Sequence, residues 1–174
     1  DVLYATIETD NRKGGFYRSD NRGADWKKLS DEVGGGTGPH YYQEIFADQH
    51  QFDRVYIASN YSKVSDDGGK TWTPINTKRK HVDDHAMAFH PTDPDFVLIG
   101  SDGGIYMSHD RMANWRFMAN LPLTQFYKVA VDDAKPFYTV YGGTQDNSTQ
   151  GGPSRTDRAE GIKNKDWFLT LGGD

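Results

Sequence analysis

Residues 65–72 read Ser-Asp-Asp-Gly-Gly-Lys-Thr-Trp, and this pattern decides the fold because it occurs three times. Ser19-Asp-Asn-Arg-Gly-Ala-Asp-Trp starts 46 residues earlier, and Ser108-His-Asp-Arg-Met-Ala-Asn-Trp starts 43 residues later. All three stretches follow a loose Ser-x-Asp/Asn-x-Gly-x-Thr-Trp pattern. The outer two differ from the middle copy at Asn21, Asp25, Met112 and Asn114. A single copy indicates only a surface hairpin, whereas three copies at one spacing indicate an array of repeats.

The residue types of this box predict a turn that leads into a strand. A short polar side chain can hydrogen-bond the backbone of its own turn, and glycine adopts a positive φ without steric cost. The tryptophan opens the next strand, where its ring can pack between neighbouring sheets. We therefore predict a structural role for the box residues Ser19, Asn21, Gly23, Trp26, Ser65, Asp67, Gly69, Thr71, Trp72, Ser108, Asp110 and Trp115.

The repeat length and the composition predict an all-β fold made of β-propeller blades. The spacing is typical of a blade of four antiparallel strands, and 19 glycines with 13% aromatic residues suit short strands and tight turns. We expect about four blades in a single array over 1–174. They comprise a partial blade at 1–33, blades at 34–79 and 80–120, and a blade without a recognisable box at 121–174. The third strand of that last blade is predicted at about 152–156.

The partial first blade bears on how the propeller closes. The sequence has room for only three strands before its second blade, and propellers have to protect the edges of their sheets. We expect part of a larger propeller, or a ring that a second copy of the chain completes. A closed four-bladed ring is the alternative.

Charge and composition exclude several other classes of protein. The formal net charge is −5, and no run of lysine and arginine offers a surface for nucleic acid. No apolar stretch approaches the roughly 18 residues of a membrane span. Cysteine is absent, which excludes disulfides, cysteine-ligated zinc and a cysteine nucleophile.

The loops of a propeller lie on two faces, and the polar candidates are predicted on the face opposite the boxes. His81, Asp83 and His85 lead into the inner strand of the third blade, and residues two apart in an extended segment share a side. Two imidazoles and a carboxylate can bind a divalent metal. A His–Asp hydrogen-bond network and a solvated turn are the alternatives, and no other cofactor is expected.

Two loops between second and third strands bring further carboxylates to that face. Residues 101–104 contain Asp102, and residues 143–147 contain Asp146. With Asp83 these are the candidate acid and base groups, although Asp and Gly are also the residues that simply turn a chain. The candidate substrate-binding residues are tyrosines, whose rings can stack on a sugar, and polar residues that can hydrogen-bond it. They are Tyr41, Tyr42, Tyr61, Gln145, Asn147 and Arg155.

The three boxes resemble the Asp-box, or BNR, repeats of sialidases, sortilin-type receptors and xyloglucan-degrading enzymes. Residues 81–155 resemble bacterial glycosyl hydrolase-like BNR-repeat proteins through HVDDHAMAFHPTDPDFVLIGSDGGIYMSHD, NLPLTQFYKVAVDD and YGGTQDN. Within them, GSDGGIYMS is similar to the Thr-Asp-x-Gly-Gly-x-Tyr segment of xyloglucan-type hydrolases, whose Asp is catalytic. The resemblance implies Asp102 as the leading catalytic candidate. The Arg-Ile-Pro segment typical of sialidases is absent from the sequence.

Two functions follow from this resemblance. One is an inverting polysaccharide hydrolase, which needs two carboxylates about 6.5–9.5 Å apart, with Asp146 or Asp83 as the partner of Asp102. The other is a non-catalytic propeller that binds a protein, peptide or glycan, because one fold hosts both kinds of function. Opposed carboxylates beside an open cleft favour the hydrolase, whereas a flat or plugged channel favours binding. An extracellular or periplasmic location is implied by the resemblance alone.

Overall fold

The protein is all-β, as the repeat predicts. The computed structural model describes residues 1–10, 13–34, 44–121, 124–144 and 147–172. Within these residues the chain forms β-strands joined by turns, with a 3-10 helical turn at Asn164–Asp166.

The strands of the described residues form four antiparallel sheets, and in each sheet every strand pairs with the next one in sequence. The first sheet contains β1 (Leu3–Thr9), β2 (Lys13–Ser19) and β3 (Lys27–Ser30). The second contains β4 (Glu44–Ala47), β5 (Val55–Ala58), β6 (Lys63–Ser65) and β7 (Thr73–Pro74). The third contains β8 (Asp84–Phe89), β9 (Val97–Ser101), β10 (Gly104–Ser108) and β11 (Arg116–Phe117). The fourth contains β12 (Lys128–Val131), β13 (Thr139–Thr144), β14 (Ser148–Pro153) and β15 (Phe168–Leu171).

The fourth sheet differs from the sequence prediction in its third strand. The prediction of about 152–156 is wrong, because β14 begins at Ser148 and includes Gly151 and Gly152. A Cβ atom at Gly151 would lie 2.7 Å from the Phe168 ring, and one at Gly152 would lie 2.5 Å from the Trp167 ring. The two glycines therefore belong inside the strand, where they make room for aromatic rings, rather than in a turn before it.

The chain divides into two compact units, residues 1–119 and 120–174. The first unit holds three sheets and all three boxes, and the second holds the fourth sheet. The single array over 1–174, divided into the four predicted segments, stays a prediction.

The core of the first unit lies on both faces of β5. Val55 and Ile57 pack with Phe16 of the first sheet, whereas Tyr56 and Ala58 face Ile99 and other apolar side chains of the third. All four β5 residues are at most 2% exposed. Side chains alternate between the two faces of a strand, so a run of four apolar residues fits a strand with a sheet on either side. Burial of each large apolar side chain stabilises the fold by about 1.5–3 kcal/mol.

The three box turns are held by the same hydrogen bonds to their serines. The Ser65 hydroxyl accepts the amide of Gly69 at 2.8 Å, and Ser19 and Ser108 accept the amides of Gly23 and Met112 at the same distance. Each of the three serines is 1% exposed. A buried hydroxyl that accepts an amide keeps the turn closed because losing that bond leaves a buried donor unsatisfied.

The departures in the outer boxes preserve a second hydrogen-bonding pair. In the middle box the Thr71 amide and hydroxyl both donate to Asp67, at 2.9 and 2.7 Å. In the first box the amide of Asp25 donates to Asn21, whose side-chain amide in turn donates to the Asp25 carboxylate at 2.9 Å. In the third box the side chain of Asn114 donates to the Asp110 carboxylate at 2.7 Å, as its backbone amide does at 2.8 Å. What the three boxes share is therefore one donor paired with one acceptor, not one residue type.

The departure at Met112 has a different physical reason. Its backbone φ is 71°, close to the 88° and 102° of Gly23 and Gly69 at the same box position. A residue with a Cβ pays about 1–2 kcal/mol for this conformation. The Met112 side chain is 5% exposed and lies in the core between the second and third sheets, and that burial offsets the backbone cost.

The box tryptophans link one sheet to the preceding one. The Trp72 ring packs edge-on to Phe16 of β2 with centroids 4.9 Å apart, and its indole N–H donates to the Ser30 hydroxyl at 3.2 Å. The Trp115 indole N–H donates to the carbonyl of Asn76, which follows β7, at 2.7 Å. The first-box ring of Trp26 is 45% exposed and donates to the carbonyl of Gly23 in its own turn.

Exchanging the donor and the acceptor of the middle box should preserve the turn. We expect the Asp67→Ala variant to lose about 1–2 kcal/mol of unfolding free energy, because the amides that Asp67 binds lose a charged acceptor. The double variant Asp67→Asn with Thr71→Asp recreates the side-chain pair of the first box and should recover most of that loss. Urea unfolding measures both. A double variant as unstable as Asp67→Ala would show that the pair does not hold the turn.

The box carboxylates should also make stability depend on pH. Burial alone would raise the pKa of Asp67, but hydrogen bonds from the Thr71 amide and hydroxyl favour the charged form and lower the pKa well below its ordinary value. The side-chain hydrogen bond from Asn114 likewise lowers the pKa of Asp110. A carboxylate whose pKa is depressed by folding stabilises the protein above its unfolded pKa of about 4, and that contribution is lost as the pH falls below it.

We therefore expect the contribution of these carboxylates to the free energy of unfolding to be level between about pH 5 and 7 and to fall below about pH 4. The Asp67→Asn variant, which has one fewer of these depressed groups, should show a shallower fall. Urea unfolding at a series of pH values tests this. Equal slopes for the variant and the parent chain would contradict the assignment.

Candidate functional site

Three loops of the first unit meet at one end of its sheets, and we call this end the rim. They are residues 59–62 after β5, 80–84 before β8, and 101–104 between β9 and β10. The amide of Asp84 donates to the carbonyl of Ser59, that of Asp83 to Asn60, and that of Asp102 to Asp83, each at 3.1 Å. These backbone bonds join the second sheet to the third and hold the three loops together.

The box turns lie at the other end of the same sheets. The amide of Gly68 in the middle box donates to the carbonyl of Asp53, in the loop between β4 and β5, at 2.7 Å. In the third sheet the amide of Arg111 donates to the carbonyl of Asp95, in the loop between β8 and β9, at 3.1 Å. The rim candidates and the boxes are thus separated by the length of the strands.

Asp102 and His85 form the most direct side-chain pair at the rim. The Nε2 atom of His85 lies 2.7 Å from an Asp102 carboxylate oxygen, and the two side chains are 35% and 14% exposed. They meet because Asp84 and Ser101, their chain neighbours, face each other across β8 and β9. The imidazole reaches solvent while the carboxylate lies beneath it. The sequence alternative was a His–Asp network among His81, Asp83 and His85, whereas His85 contacts Asp102 in the structure.

The structure does not bring His81, Asp83 and His85 together around one point. Asp83 has a φ of 63°, which interrupts the extended alternation that would have put the three side chains on one side. An oxygen of Asp83 accepts the side-chain amide of Asn60 at 2.7 Å, and Nδ1 of His81 lies 2.7 Å from the carbonyl of Val82. Among the described residues, no group of three His, Cys, Asp or Glu side chains is placed to hold a metal ion.

Beneath the rim lies a charged pair that the sequence did not reveal. The Lys80 ammonium lies 2.5 Å from an oxygen of Asp84, and the two side chains are 0% and 2% exposed. The other Asp84 oxygen accepts the Ser62 hydroxyl at 2.6 Å. Lys80 belongs to the polar run Thr-Lys-Arg-Lys-His at 77–81, which has the composition of a solvated loop, so no sequence signal marks it as buried.

Gly103 lets the loop between β9 and β10 lie against His81. A Cβ atom at Gly103 would lie 2.4 Å from the Cβ of His81 and 2.9 Å from the Tyr106 hydroxyl. Only glycine fits this contact without displacing its neighbours. Its neighbour Asp102 is therefore fixed in place by packing as well as by hydrogen bonds.

The other predicted site residues are distributed as follows. Tyr61 lies at the rim beside Asn60 and is 65% exposed. Asn147 and Arg155 are exposed in the second unit. Tyr41, Tyr42, Gln145 and Asp146 lie outside the described residues.

Comparison with known proteins identifies the family. The sequence matches the Sortilin-Vps10 family, described as "Sortilin, neurotensin receptor 3", over residues 14–166. The chain belongs to this family. No curated protein sequence matches this sortilin-family chain. In the described part of the chain, no helix has the length and apolar character needed to span a bilayer.

Solved structures similar to this sortilin-family chain include two GH74 enzymes. The GH74 xyloglucanase from Xanthomonas campestris has 16% identity and a TM-score of 0.52 over 87% of this chain and 27% of its own. The Niastella koreensis GH74 enzyme has 14% identity and a TM-score of 0.54 over 88% of this chain and 27% of its own. The chain thus spans about a quarter of the length of these enzymes. At this identity the likeness shows the fold, and it confirms the propeller prediction.

Adding one methyl group at Gly103 should disturb the rim. We expect Gly103→Ala to lose about 1–3 kcal/mol of unfolding free energy, because its Cβ would overlap His81. Gly172→Ala is the control, since a Cβ there meets no atom within 4 Å. Thermal unfolding compares the two variants, and equal midpoints would mean that the contact between Gly103 and His81 is loose.

Proposed function

We propose that this chain is a glycosyl hydrolase-like propeller module that binds a polysaccharide at the rim. The observation that carries the proposal is the exposed ring of Tyr61 beside the hydrogen-bonded groups of Asn60 and Asp83, with Asp102 on the adjoining loop. A sugar can stack on an aromatic face, and its hydroxyls can donate to carboxylates. A few fixed polar groups beside an aromatic surface are typical of ligand sites.

For hydrolysis the proposal assigns Asp102 as the first carboxylate. His85 holds it at 2.7 Å, and the packing of Gly103 on His81 holds its loop. An inverting mechanism needs a second carboxylate across the scissile bond, with space for the attacking water. Asp83, on the adjoining loop of the same unit, is the proposed partner, and Asp146 stays a sequence-based candidate that lies outside the described residues. This chemistry needs no cofactor, because one carboxyl group donates the proton and the other activates the water.

The second candidate function is binding of a peptide or protein without catalysis. The family description names a peptide receptor, sortilin as a neurotensin receptor. The side-chain contacts at the rim also favour this candidate, because Asp102 and Asp83 each hydrogen-bond a neighbouring side chain. Such a surface is pre-organised for recognition. Further blades or a second copy that completes the ring would add loops to this surface. For both functions we propose an extracellular or periplasmic location, where polysaccharides and secreted peptides are met.

The test measures binding and turnover of xyloglucan oligosaccharides by calorimetry and reducing-sugar release. If the rim binds glycan, Tyr61→Ala should weaken binding about tenfold, equivalent to about 1.4 kcal/mol. Phe52→Ala is the matched control, because Phe52 is 74% exposed in the loop between β4 and β5, at the box end. If the chain is a hydrolase, Asp102→Asn should lower turnover by about 100-fold or more while leaving binding within a few-fold.

The possible outcomes separate the two candidates. Binding that depends on Tyr61, without turnover, would remove the hydrolase and keep a glycan-binding module. Absence of glycan binding, together with binding of a neurotensin peptide that Asp102→Asn weakens, would replace the proposal with the receptor function. Glycan binding that Tyr61→Ala leaves unchanged would place the ligand elsewhere.

A further inference from the structure

The rim rests on the buried pair of Lys80 and Asp84. The Lys80 ammonium donates to Asp84 and also to the carbonyl of His81 at 2.8 Å. It lies 5.6 Å from the centre of the Trp115 ring and 5.8 Å from that of Tyr106. A lysine head group with no exposed surface therefore has a carboxylate, a carbonyl and two aromatic faces around it, and these compensate for its lost hydration.

The pair connects the parts of the rim that come from different sheets. Asp84 begins β8 in the third sheet, and its second oxygen accepts the hydroxyl of Ser62, which lies just before β6 in the second sheet. The four-residue separation of Lys80 and Asp84 closes a short loop, and that loop carries His81 and Asp83. The pair therefore ties the two ends of this loop to each other.

A buried ion pair of this kind is weak evidence for extra stability. Apolar side chains of similar volume often stabilise a fold equally well, whereas in some proteins a buried polar or charged group fixes one arrangement of its neighbours. The loop between them needs such a constraint, because the non-glycine residue Asp83 holds a φ of 63°, which surrounding contacts have to maintain. Asp84 is the next residue in the chain, and Lys80 binds the carbonyl of His81 two residues before Asp83.

We propose that Lys80 and Asp84 are positioning residues of the rim. They fix the 80–84 loop so that Asp83 receives the amide of Asn60, His81 packs on Gly103, and the carbonyl of Asp83 holds the amide of Asp102. Their role is to order the rim, and neither side chain contacts the ligand. Which ligand the ordered rim binds rests on the proposed function. The ordering of the loop by this pair does not depend on it.

The test separates order at the rim from stability of the fold. The double variant Lys80→Met with Asp84→Asn removes both charges at nearly constant volume, and the amide oxygen it leaves at position 84 can still accept the Ser62 hydroxyl. Amide hydrogen exchange, read residue by residue by NMR, then reports the rim bonds through the amides of Asp83, Asp102 and position 84. Thermal unfolding of the same sample reports global stability.

We expect these three rim amides to lose about tenfold or more of their protection, while the amides of β5 keep theirs. The control is Lys28→Met with Asp31→Asn, which removes an exposed ion pair with 41% and 94% exposed side chains. That variant should leave the rim amides unchanged. If the main double variant does not fold, Asp84→Asn alone keeps an acceptor for the Ser62 hydroxyl, weakens the contact with Lys80, and should give a smaller loss at the same three amides.

Unchanged protection of the rim amides in a folded variant would overturn the proposal and leave the pair as ordinary core. A loss of protection spread evenly over β5 and the rim would overturn it too, because it would mean only lower stability. Ligand binding by the unsubstituted chain distinguishes failure of the proposed function from failure of this proposal. If that chain binds neither xyloglucan oligosaccharides nor neurotensin, the proposed function fails, and the exchange result still decides whether Lys80 and Asp84 order the rim.

Discussion

The first unit depends on a strand that is buried on both faces. Strand β5 lies between two sheets, with Val55 and Ile57 toward the first and Tyr56 and Ala58 toward the third. This two-sided burial sets the spacing at which neighbouring sheets stack. The stacking in turn puts the Trp72 ring against Phe16 at one interface, and it brings Lys80 beneath the rim at the other.

The box turns fix the outer strands of the three sheets of the first unit. A buried serine hydroxyl closes each turn, and one donor–acceptor pair keeps it closed even though the residue types change between copies. Asn21 with Asp25, and Asp67 with Thr71, perform the same task with different chemistry. The three copies therefore agree in their hydrogen bonding more closely than in their residue types. This is why the outer copies can depart from the sequence pattern and still form the turn.

The sequence predicted some residues of the rim and missed others. Asp102 and His85 were both candidates, and they meet because antiparallel pairing puts the end of β9 beside the start of β8. The predicted grouping of His81, Asp83 and His85 as metal ligands assumed regular alternation, which the positive φ of Asp83 interrupts. Lys80 was not a candidate at all, because a lysine in a polar run is normally solvated. Its burial depends on the Trp115 and Tyr106 rings, which folding brings around it.

The linear pattern of residues was enough to predict the blade type, the number of boxes and the strands they join. Turn residues and alternation are local chemistry within one blade, and the regular spacing of three copies is visible in the sequence without any knowledge of how the sheets pack. Tertiary structure decided which polar side chains share the rim and which are buried beneath it. It also decided where Gly103 and Gly151 are needed, since each makes room for a side chain that only folding brings near. Contacts between residues distant in the chain depend on how sheets stack, and a linear pattern does not specify that stacking.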